Sequence, residues 1–151
     1  QDMEKQFPWG LLFLFGGGMA LAYMVSSSGL ASWLAGLIPT DTSVFMILFS
    51  VVLMVVFLTE LTSNLATTMT FIPIVYSIGL NIGIDPLILT IPLTIAASCA
   101  FMLPVATPPN AVVFGSNYLK ISDMVKVGIL VNLFSIVLIL LMVYFGMPLI
   151  W

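Results

Sequence analysis

Two apolar runs, residues 43–58 (SVFMILFSVVLMVVFL) and 71–80 (FIPIVYSIGL), are separated by Thr59-Glu60-Leu61-Thr62-Ser63-Asn64-Leu65-Ala66-Thr67-Thr68-Met69-Thr70, in which eight of the twelve residues are polar. The first run, wound as a helix, is about 24 Å long, shorter than a hydrocarbon core of about 30 Å. No Gly-, Pro- or Lys-rich turn follows it. The polar stretch therefore reads as the tip of a re-entrant hairpin, residues 43–80, which turns at Ser63-Asn64 inside the membrane and leaves by the face it entered. Non-helical backbone at that depth is tolerated only when it is buried in protein or lines a cavity. A second interruption, Leu103-Pro104-Val105-Ala106-Thr107-Pro108-Pro109-Asn110, also lies in apolar surroundings.

Composition supports the membrane setting. The chain is 62% hydrophobic and 6% charged, with a mean hydropathy of +1.27, whereas soluble domains carry roughly 25% charged residues. At about 20 helical residues per crossing, 151 residues hold four or five membrane segments. Arginine and histidine are absent, which removes the forked anion clamp and the common proton relays. With one cysteine, Cys99, there is no intramolecular disulfide or cysteine-rich metal site; a small buried apolar role is expected for it. The opening QDMEKQFPWG has no basic leader and no initiating Met, which suggests a piece of a longer chain. No internal repeat or low-complexity segment is visible.

Taken in order, residues 7–25 predict a spanning helix, with Phe7 and Trp9 at an interface belt and Pro8 in the first turn. Gly16-Gly17-Gly18 lacks the Lys of a phosphate loop and fits close helix packing, with Gly18 and Ala22 spaced as small-xxx-small. Residues 28–38 are too short to cross, and Pro39-Thr40-Asp41-Thr42 supplies a turn and an N-cap. Pro73 suits a kinked return arm, residues 81–86 a turn, and residues 87–103 a helix ended by Pro104. Thr107 then caps a half-helix, 108–116, so that 86–116 reads as one broken helix. Residues 115–123 read as an exposed loop or surface helix and 127–147 as the last span, with Trp151 at the interface. This topology puts Lys5, Lys120 and Lys126 on one side and Asp41 and Asp85 on the other, placing the lysines in the cytoplasm and the C-terminus outside.

The two breaks suit a particular chemistry. A helix N-terminus presents unpaired N–H groups and a partial positive charge. Ser63 and Asn64 cap the helix beyond the first break and Thr107 caps the one beyond the second, so two such ends can hold a carboxylate without arginine. Carbonyls around Leu103–Ala106 and the hydroxyls of Thr59, Thr62 and Thr107 are hard oxygen ligands for an alkali cation, as in broken-helix carriers. Glu60 is the lone acid of its stretch and is either functional or a lining group of a watery vestibule. The bland alternative is that the hydroxyls bond back to i−4 carbonyls and the prolines only bend helices.

The segments TELTSNLATTMTFIPI and AASCAFMLPVATPPNAVVF resemble the divalent anion/sodium symporter family, the sodium-coupled dicarboxylate and citrate carriers, and the order matches the C-terminal third of a member. The resemblance implies an all-α integral membrane fold, part of an inverted-repeat elevator transporter with a re-entrant hairpin and a broken transmembrane helix, working as a homodimer in the cell membrane. It implies that Ser63, Asn64, Thr107 and Pro108 contact the substrate, and that Thr59, Thr62, Asn64 and the carbonyl of Ala106 hold one sodium ion, the coupling ion. Residues 1–42 would be scaffold and dimer interface, and 43–151 part of the moving domain. Leu65 departs from the hydroxyl residue often found at the hairpin tip of bacterial relatives. The other half-site would come from the N-terminal half of the same transporter, so this chain alone is expected not to transport. A dicarboxylate exchanger and a non-transporting membrane subunit are the alternatives. No enzyme constellation and no nucleic-acid partner is expected.

Overall fold

In residues 44–58 the inward positions Ile47, Leu48, Val51, Val52, Val55 and Val56 recur at one helical face. That face is the centre of the core. In a computed structural model, which describes residues 9–39, 41–116 and 118–146, the elements in order are α1 (Trp9–Ser27), α2 (Leu30–Gly36), α3 (Val44–Leu58), α4 (Asn64–Asn81), α5 (Leu87–Ala96), α6 (Pro108–Gly115) and α7 (Ile121–Leu141). A π-helical turn, Met142–Gly146, extends α7. Among the described residues there is no strand. The readings made for Lys5, Phe7, Pro8, Thr40, residue 147 and Trp151 lie outside the described residues.

The core joins α3 to Val75 and Ile78 of α4, Leu89 and Leu93 of α5, and Ile136 and Ile139 of α7. Helix α3 packs on α5 and α7, whereas α4 packs on α1, α2 and α5, with little contact between α3 and α4. At Gly18 the small residue matters: an added Cβ would lie 3.3 Å from the Met69 side chain, so α1 approaches α4 closely there. Asn81 Nδ2 donates to the Ala35 carbonyl at 3.1 Å and fastens α4 to α2. Among the described residues one helix, Ile121–Gly146, is long and apolar enough to cross a membrane.

Several boundaries differ from the sequence reading. The helix expected over 87–103 ends at Ala96. Ser98 and Cys99 N–H close tighter turns on Ile95 and Ala96, and the amides of Phe101, Met102 and Leu103 donate to the Glu60 carboxylate instead of to carbonyls one turn back. Helix α4 runs on to Asn81, where Gly83 at φ 75° closes it. There Ile84 N–H donates to the Gly79 carbonyl at 3.0 Å and Gly83 N–H to Leu80 at 3.3 Å, a Schellman closure. Helix α7 starts at Ile121, ahead of the expected 127, because the Asp123 carboxylate accepts the Lys120 amide at 3.2 Å. The residue before α3 is Ser43, with no side-chain cap bond, and not Asp41 or Thr42. Cys99 is half-buried against the core rather than enclosed.

Candidate functional site

The first break begins where α3 stops. Thr59 ends the helix and is fully buried. Residues 60–63 then carry the chain to α4, which Ser63 caps in extended conformation by accepting the Ala66 amide on Oγ at 3.1 Å. The Asn64 and Leu65 amides occupy the first turn, where a helix has no internal acceptor for them. The Leu65 side chain offers no hydroxyl here, and its backbone N–H is one of these first-turn amides. Thr67, Thr68 and Thr70 bond back to the carbonyls of Ser63, Asn64 and Ala66, so for these three the bland reading holds.

Thr59 does something different. Its hydroxyl lies 2.7 Å from Asn64 Oδ1 and 2.8 Å from the carbonyl oxygen of Ala97 at the end of α5. One hydroxyl hydrogen thus serves two acceptors, leaving three oxygens that share a single proton. Such an oxygen-rich cluster at a helix C-terminus fits an alkali cation. Of the expected cation ligands, Thr59 and Asn64 are brought together. Thr62 is not bonded to either: like Thr67, Thr68 and Thr70 it bonds back four residues, to the Leu58 carbonyl at 3.0 Å, and its hydroxyl meets that of Thr67 at 2.5 Å. Ala97 was not singled out from the sequence, since a carbonyl at a helix end carries no side-chain signal.

The second break is held from both sides. Glu60, 3% exposed, takes the Phe101 amide on Oε1 at 2.8 Å, the Leu103 amide on Oε2 at 3.1 Å, and the Met102 amide on both oxygens. Asn132 Nδ2 of α7 donates to Oε1 at 2.7 Å. The carbonyls of Ala100 and Leu103 accept from Asn110 Nδ2 at 2.9 and 3.0 Å, and Leu103 O also accepts the Ala106 amide at 3.2 Å. The Leu103 carbonyl, expected to be open to a cation, is therefore occupied. At Ala106 the turn that would occupy the carbonyl is not closed. Pro109 has no N–H to close a turn on its carbonyl, and the Asn110 N–H goes to Thr107 Oγ1 at 3.4 Å.

Thr107 caps α6 as expected, in extended conformation, with Pro108 and Pro109 opening the helix. The two prolines remove two of the amides that an N-terminus usually offers, and Thr107 takes the third. What α6 presents is its dipole and the hydrogen of the Thr107 hydroxyl, while α4 supplies amides. Among the described residues no hydrogen bond joins Ser63 or Asn64 to Ala106, Thr107 or Pro108; the two breaks meet through Thr59 and Glu60. Glu60, Asn110 and Asn132 are the residues whose part the sequence did not disclose. Only Glu60 carried a signal, as a lone acid among apolar residues.

Comparison with known proteins adds the context of this site. A family model described as the sodium:sulfate symporter transmembrane region matches residues 1–151. The chain belongs to the sodium:sulfate symporter family. It is 47% identical over 149 residues to a sodium-dependent dicarboxylate transporter of Staphylococcus saprophyticus, covering 97% of this chain and 29% of the relative. It is also 47% identical over 151 residues to that of Staphylococcus aureus, covering 99% and 29%. The chain thus spans less than a third of the length of these relatives. Membership makes it a membrane protein of a transporter family, as its sequence pattern suggested.

Proposed function

We propose that this chain is the C-terminal part of a carrier that moves di- or tricarboxylates across the cell membrane together with sodium. The observation that carries the reading is the oxygen cluster of buried Thr59, half-buried Asn64 and the Ala97 carbonyl, directly beside the capped start of α4. It lies in a chain 47% identical to sodium-dependent dicarboxylate transporters. In this reading sodium rests among Thr59 Oγ1, Asn64 Oδ1 and the Ala106 carbonyl, with Thr62 contributing from the turn and the Ala97 carbonyl completing the shell. The substrate carboxylate accepts from the Ser63–Asn64 tip and from Thr107 at the mouth of α6, beside Pro108. An ion next to the anion offsets its charge, so each raises the affinity of the other.

The architecture proposed is a multi-pass, inverted-repeat elevator. Residues 43–80 form a re-entrant hairpin and 86–116 a broken helix in a moving domain, 43–151. Residues 1–42 belong to a static scaffold and homodimer interface, and the N-terminal half of the transporter brings the second half-site. The test is uptake by the full-length protein in proteoliposomes, with sodium or potassium outside and labelled succinate, citrate or sulfate as substrate. Uptake of a carboxylate driven by sodium and not by potassium is expected. Equal uptake in both salts, dependent on dicarboxylate inside, points to exchange and overturns the coupling. Sulfate as the sole substrate overturns the substrate class.

A further inference from the structure

The geometry points to Glu60 as a positioning residue that sets the sodium half-site from behind, by gripping the backbone of the broken helix and tying it to the last helix; this rests on the carrier reading above. Glu60 directly follows Thr59. The two neighbours grip both ends of one short segment: Thr59 reaches the Ala97 carbonyl, and Glu60 collects the amides of residues 101–103. From there Asn110 links Ala100 and Leu103 to the first turn of α6, whose cap is Thr107. A continuous hydrogen-bonded path therefore runs from the end of α3 to the mouth of α6.

The third anchor is α7. Asn132 is fully buried and gives its Nδ2 to Glu60 at 2.7 Å. One turn earlier Gly128 lets the helix touch the break, since an added Cβ would lie 2.5 Å from the Phe101 carbonyl oxygen. No basic side chain reaches Glu60 among the described residues, so donors with fixed directions meet its two oxygens. Every contact the carboxylate makes is with a donor, and both oxygens accept. This is an acceptor-only role. It is the pattern of a structural clasp, beside which the Asn132 Oδ1 stays buried without a partner. Loss of the clasp frees three part-buried amides and slackens the path that runs through Asn110 to the Thr107 cap.

Two readouts on the full-length protein test this, one independent of transport. The Glu60→Gln variant keeps the side-chain size but puts an amide donor against backbone N–H groups. Hydrogen–deuterium exchange of peptides spanning residues 97–107 is expected to speed up at least tenfold in this variant, with peptides from α1 unchanged. In proteoliposomes the sodium concentration for half-maximal uptake is expected to rise about tenfold among folded carriers, and Asn132→Ala, which removes one donor, is expected to give a smaller rise. Should Glu60→Gln fail to fold, Glu60→Asp and Asn132→Ala carry the same two measurements. Unchanged exchange at 97–107 overturns the clasp. So does a fall in the amount of folded carrier with unchanged sodium half-saturation, the result of a role in stability alone. Absence of sodium-driven uptake by the unaltered protein overturns the carrier reading instead, and the exchange result still decides the clasp.

Discussion

At Gly128 the helix–break contact is closest. An Ala there places Cβ 2.5 Å from the Phe101 carbonyl oxygen and 2.6 Å from Met102 Cα, backbone atoms that cannot swing aside. Gly128→Ala should cost about 1–3 kcal/mol, read as a lowered unfolding temperature of the purified protein in detergent. Ala at Gly16 or Gly17, where nothing lies within 4 Å, is the control expected not to lower it. Thr59 invites a different substitution. Thr59→Val keeps the shape and deletes the oxygen shared by Asn64 and Ala97. It should raise the sodium concentration for half-maximal uptake, while the substrate KM at saturating sodium changes less. An equal loss in both parameters would mean that the hydroxyl serves the substrate and not the ion.

Among the elements, the amphipathic and capping signals were readable and the irregular backbone was not. Ser63 and Thr107 stand out as caps because a hydroxyl residue precedes a helical run. The face of α3 is legible from the spacing of its valines. The early end of α5 was hidden, because residues 97–103 are as apolar as the helix before them. What holds residues 101–103 out of the helix is Glu60, distant in sequence by 41 residues from Phe101, and no local propensity encodes a partner so remote. The same holds for Asn110 and Asn132, ordinary helix residues until the break lies beside them. The cap at α6 gives a prediction at this scale. Thr107→Ala should cost about 1 kcal/mol of local stability and also remove a hydroxyl from the proposed carboxylate site. Thr107→Ser restores both, so rescue of uptake by Ser and not by Ala checks the assignment.

For the whole molecule, the proposed division at residue 42 falls across a packed surface. Helices α1 and α2 lie on α4, with Gly18 against Met69 and Asn81 bonded to Ala35. If 1–42 stays fixed while 43–151 moves, this is the sliding face, and the Asn81–Ala35 bond is broken and remade in each cycle. Joining Ala35→Cys to Asn81→Cys with a short thiol cross-linker, in a Cys99→Ser background, should arrest uptake and leave sodium binding intact. Uptake that continues under full cross-linking places the boundary elsewhere. The central claim is that the first break holds ion and anion together, and Asn64 is the residue assigned to both. The most direct measurement is sodium-driven dicarboxylate uptake by the full-length Asn64→Ala variant in proteoliposomes, alongside its sodium and substrate affinities. The account predicts that uptake is abolished and that both affinities fall together; normal sodium-dependent uptake by the variant contradicts it.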